Sequence, residues 1–166
     1  AVIAEATRAL GKHVVAVLID LANAFETIDP DWLWDSALRH GFPRRRMALL
    51  LQCYGGRRSI KFGFFMSDII CTNHGVIAGC GFAVSVIKCF TMDVYNHMYR
   101  LWPTLDLSVV IDDSTLQASG HSKQIVTTIT QATKFACKKF QELRMIVSVD
   151  KGQVVASQDK IAREVA

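Results

Sequence analysis

The chain has 166 residues, enough for one domain with a sizeable core, and no Pro/Ser-rich linker at which to divide it. With 51% apolar and 20% charged residues it is neither disordered nor fibrous, and a net charge of +4 suits a nucleic-acid partner without requiring one. No apolar run reaches the about 18 residues of a membrane span, AVIAEATRALGK lacks the order of a secretory signal, and five scattered cysteines without Cys-x-x-Cys spacing read as reduced thiols, so an intracellular protein of nucleus or cytoplasm is expected.

Residue 1 is not Met and falls inside a helical pattern, as expected of a piece of a longer protein. HVVAVLID (13–20) is a continuous Val-rich run ending in an acid, the pattern of a strand buried on both faces. Asp29 and Pro30 offer an N-cap and a first-turn proline to a helix over Asp31–His40, closed by Gly41. A second helix, Arg44–Tyr54, stops at Gly55-Gly56. RSIKFGFF and SDIICT follow as the two arms of a hairpin, then a glycine-containing stretch from Gly75 to Gly81 and a long helix over Phe82–Arg100, ended by Trp102-Pro103. DLSVVI runs into Asp112-Asp113 and STLQAS runs out, two strands around an acidic tight turn. From His121 to Arg144 apolar residues recur at helical spacing over about five turns, with Ser122 as the cap. MIVSV and QVVAS close the chain as short strands around Asp150-Lys151-Gly152. This order predicts an α+β sheet with helices on one face.

Three carboxylates stand out. Asp20 ends an otherwise apolar strand, where a desolvated charge must either reach solvent or face a cation. Asp112 and Asp113 place adjacent like charges between apolar strands, which repel unless solvated or neutralised. Taken singly, each is equally an acid at a strand exit or in a wet turn. A hairpin packed beside the first strand would bring them together, and hard oxygen donors in that number suit Mg²⁺.

Asp20-Leu-Ala-Asn-Ala-Phe25 resembles the first palm motif of reverse transcriptases, especially those of non-LTR retrotransposons. Val110-Ile-Asp-Asp113 resembles their Asp-Asp hairpin, GVIAGC (75–80) the Gly-rich segment between the two, and Ser148-Val-Asp-Lys151 the downstream lysine motif. The four stand in family order over about residues 10–157. The resemblance implies a polymerase palm, an antiparallel sheet with helices on one face and a ferredoxin- or RRM-like core, with part of the fingers and without the thumb. It implies an RNA-directed DNA polymerase that uses an RNA template, a DNA primer and dNTPs, with two Mg²⁺ ions, or Mn²⁺ in their place. Asp20, Asp112 and Asp113 would hold the metal. Lys151 would neutralise or protonate pyrophosphate, Phe25 would exclude a 2′-hydroxyl, and Gly75 and Gly79 would admit template or nucleotide close to the backbone. As plain sequence, Phe25 is equally a core residue, the glycines ordinary loop residues and Lys151 a turn residue.

The chain departs from the family where Ala78 replaces a Gln, Gly81 and Ala83 replace Pro and Ser, Val110 replaces an aromatic, and Glu26 replaces an Asp. These departures motivate an alternative, a degenerate palm that only binds. A third reading, a sheet binding single-stranded RNA through surface aromatics, is disfavoured because the strands are aliphatic. The five histidines show no ligand spacing, and Arg44-Arg45-Arg46 and Arg57-Arg58 suit a phosphate backbone or a solvated face equally.

Overall fold

The apolar run after His13 forms a strand because alternate residues can be buried while both backbone edges are paired. The computed structural model describes residues 11–166, so the helix expected at the start of the chain lies outside the described residues. In chain order the elements are β1 (His13–Ile19), β2 (Leu21–Ala22), α1 (Pro30–Arg39), α2 (Arg44–Tyr54), β3 (Lys61–Phe62), β4 (Phe65–Met66), α3 (Ala83–Leu101), β5 (Asp106–Val110), β6 (Asp113–Gly120), α4 (Ser122–Glu142), β7 (Ile146–Val147), β8 (Gln153–Ala156) and α5 (Asp159–Val165). The described residues fall into two compact units, one comprising residues 11–22 with Val94–Ala166, the other Asn23–Asp93.

The first unit is built on a four-stranded antiparallel sheet in the order β5-β6-β1-β8. Val15, Val17 and Ile19 lie opposite Ala118, Leu116 and Ser114, and all six are buried. This face packs against α4, whose Ile125, Ile129, Ala132, Ala136 and Phe140 recur at helical spacing and are buried. Burying a side chain such as Leu116 or Phe140 contributes about 1.5–3 kcal/mol. The C-terminal half of α3 adds Tyr95 against Phe140 and His97 against Phe135, both edge-on. The α+β architecture, with helices on one face of an antiparallel sheet, is the one expected.

Several details differ from the sequence expectations. Ser122 is the first helical residue of α4 rather than its cap; His121 takes the cap position with no side-chain bond. The two closing strands are present where expected, β7 pairing with β2 and β8 with β1. Helix α5 was not expected: it has seven residues, too few for a clear period, and is held by buried Ile161 and by packing on α4 and β8.

In the second unit Asp29 caps α1, its Oδ1 accepting from the backbone N–H of Asp31 (3.0 Å) and Trp32 (3.4 Å). Ser36 Oγ donates to the Cys89 carbonyl of α3 at 2.7 Å, and Arg39 and His40 both reach Asp93. The β3–β4 hairpin turns at Gly63-Phe64, earlier than expected, because Lys61 pairs with Met66 and Phe62 with Phe65. Gly63 takes φ +60, as the first position of a two-residue turn of this kind demands.

Candidate active site

Asp20 follows the last residue of β1, and its carbonyl accepts a hydrogen bond from Ser148 N at 2.9 Å. Two pairings fix what lies near it. Leu21 pairs with Val147 on β7, and Leu18 pairs with Gln153 on β8, so the turn joining β7 to β8 must pass Asp20. That turn carries Lys151, whose Nζ lies 3.3 Å from Asp20 Oδ2. The contact is an ion pair without hydrogen-bond alignment, and Oδ2 is buried with no hydrogen-bond donor among the described residues. A carboxylate oxygen in that condition is a natural ligand for a cation.

The β1–β6 ladder ends at Ile19 opposite Ser114, so Asp20 lies one residue past the last rung and Asp113 one residue before it. Val110 pairs with Asp113, leaving Ile111 and Asp112 as the two turn residues. Ile111 sits at φ +62, a left-handed conformation that costs a β-branched residue about 1–2 kcal/mol. Strain of this kind persists only where neighbouring structure enforces it. Asp112 is half-buried and Asp113 exposed. Among the described residues no three or more His, Cys, Asp or Glu side chains gather into a ready-made metal cluster. The three acids occupy adjoining strand ends rather than one converged shell.

Tyr95, on α3, was missed by sequence reasoning. Its hydroxyl lies 2.5 Å from Ser114 Oγ, the buried residue next to Asp113. Burial pushes the phenol's pKa up, the Ser114 hydrogen bond opposes this, and the negative charge of Asp112 pushes it further up. The only sequence signal was a tyrosine on the apolar face of a helix, whose hydroxyl needs a partner when buried.

In the second unit, Phe25 is half-buried and its carbonyl accepts from Val76 N at 2.7 Å, while Gly75 N donates to the Ile28 carbonyl at 2.8 Å. The predicted Phe25 and Gly75 are therefore neighbours. Gly75 has φ +90, and a Cβ there would stand 3.0 Å from both Cα and the carbonyl oxygen of Glu26. The close approach at Gly75 is thus to the protein's own backbone. Gly79 has φ +85 and open space around it. Of the departures from the family pattern, Ala78, Gly81 and Val110 are exposed and Ala83 is buried.

The sequence matches no family model and no curated protein. Among solved structures, this chain is similar to telomerase from Candida tropicalis in complex with a TWJ fragment of telomeric RNA. The two share 11% identity and a TM-score of 0.66, over 89% of this chain and 26% of that one. It is also similar to apo telomerase from Candida tropicalis truncated from the C-terminal domain, at 8% identity and a TM-score of 0.55, over 88% of this chain and 31% of that one. The chain spans about a quarter to a third of the telomerase chains it matches. Telomerase being a reverse-transcriptase-related enzyme, the likeness together with the helix-backed antiparallel sheet identifies a reverse-transcriptase-like α+β fold.

Proposed function

We propose that the chain is the palm of an RNA-directed DNA polymerase, of the non-LTR retrotransposon kind, which extends a DNA primer with dNTPs on an RNA template. The observation that carries this reading is the ion pair of Asp20 with Lys151, two motif residues far apart in sequence, at the strand end next to the Asp112-Asp113 hairpin. The RNA held by one of the telomerase neighbours supports the choice of an RNA partner.

Asp20 and Asp112 would hold the catalytic Mg²⁺ ions, with Asp113 accessory; the buried Oδ2 of Asp20, which accepts no hydrogen bond among the described residues, and the oxygen-only donor set fit such ions. When bound, the ions lower the pKa of the primer 3′-hydroxyl and offset charge developing at phosphorus. Lys151 supplies a positive charge and a proton donor for departing pyrophosphate. Phe25, five residues after Asp20, selects dNTPs by excluding a 2′-hydroxyl. Ile111 holds Asp112 at the tip of a strained two-residue turn.

The test is Mg²⁺-dependent primer extension on an RNA template by a protein that carries this palm. Asp112→Asn should reduce incorporation at least a thousandfold, and undiminished synthesis overturns the assignment. A native protein that binds RNA and metal but never incorporates a nucleotide favours the degenerate, binding-only palm.

A further inference from the structure

The β3–β4 hairpin exposes a cluster of large apolar side chains. Phe62 and Phe65 are 83% and 80% exposed and Phe64 is fully exposed. Exposed aromatics in such a cluster mark a binding surface. Phe62 and Phe65 are directly paired and therefore share one face of the hairpin, while Phe64 stands at the turn beside Gly63. Residues 57–70 hold three cations, Arg57, Arg58 and Lys61, against one acid, Asp68. Arg57 and Lys61 are exposed and form no ion pair among the described residues.

The base of the hairpin is fixed where its tip is bare. Arg58 and Ile70 exchange backbone hydrogen bonds, the Arg58 guanidinium donates to the Tyr54 carbonyl, and Thr72 Oγ1 donates to the same carbonyl at 3.0 Å. Ser67 Oγ accepts from Ile60 N at 2.9 Å. The three rings are thus presented on an ordered support.

We propose that this hairpin binds single-stranded RNA, its phenylalanines stacking on unpaired bases while Arg57 and Lys61 meet phosphates. Aromatic faces interleaved with cations recognise unpaired bases without regard to sequence, because every base has a π-face. RNA is the polynucleotide that commonly offers unpaired, splayed bases. A second protein chain fits less well: a stable interface buries about 800 Å² on each partner, more than a hairpin tip of two residues per strand provides. The excess of cations would also be left unmatched. The site belongs to the second unit and does not rest on catalysis at the carboxylates.

The experiment is fluorescence anisotropy of the full chain with a labelled 12-nucleotide RNA, single-stranded and annealed to its complement. The native protein should favour the single strand, and Phe62→Ser with Phe65→Ser should weaken that binding at least tenfold. Arg57→Ala with Lys61→Ala should flatten its salt dependence. All four side chains are exposed, and circular dichroism verifies that the variants fold. Binding should be the same with EDTA in place of Mg²⁺, which separates this site from the metal-dependent polymerase reading. Native-like affinity in the Phe62/Phe65 variant overturns the proposal. So does tighter binding to the same sequence as DNA, or a self-association seen by sedimentation that the Phe62/Phe65 variant abolishes.

Discussion

Lys151 sets its ammonium 3.3 Å from Asp20 Oδ2, though 130 residues separate them and neither lies within a strand. Two short antiparallel pairings, β2 with β7 and β1 with β8, make the meeting possible. The Lys151 side chain is 69% exposed, so water screens the pair and its share in stability is small.

Lys151→Met should therefore change unfolding free energy by less than about 1 kcal/mol. In the polymerase reading it should lower kcat for primer extension about a hundredfold while leaving the KM for dNTP nearly unchanged. Steady-state kinetics with a melting curve separates the two effects, and an unaltered kcat removes Lys151 from the chemistry.

Gly75→Ala and Gly79→Ala should differ although both backbones are left-handed. At Gly79 the added methyl meets open space, so only the conformational cost of about 1 kcal/mol applies. At Gly75 it also meets the Glu26 backbone at 3.0 Å, raising the loss to about 2–4 kcal/mol. Urea denaturation of the two variants should give that order, and equal losses would mean that the loop yields at Gly75.

How much of this was legible beforehand varies with the range of the interaction. Asp29 and Pro30 announced α1 because capping is local, and the Val-rich run before Asp20 announced β1. The β3–β4 turn was misplaced because strands of two residues carry no usable period; Gly63 and the Ser67 hydroxyl decide the register. The same shift hid the aromatic and basic tip, which as sequence resembled one ordinary apolar strand. Motif order suggested that Asp20, Asp112, Asp113 and Lys151 belong together. The contact with Lys151 depends on pairings that no local pattern specifies, and the hydrogen bond of Tyr95 with Ser114 is equally non-local.

That last bond should be measurable as a coupling. Tyr95→Phe leaves the buried Ser114 hydroxyl without its partner and should cost about 1–2 kcal/mol. Tyr95→Phe with Ser114→Ala should cost less than the sum of the single changes, as a double-mutant cycle of unfolding free energies would reveal. Strict additivity would mean that the two hydroxyls do not interact.

The central claim, that Asp20 and Asp112 hold the metal with Asp113 assisting, is tested most directly by titrating the protein with Mn²⁺ and following free ion by electron paramagnetic resonance. The account predicts that Asp20→Asn and Asp112→Asn each weaken Mn²⁺ binding at least tenfold, whereas Asp106→Asn, at the opposite end of β5 from the turn, leaves it unchanged. Binding that survives both of the first two substitutions, or falls equally in all three, contradicts it.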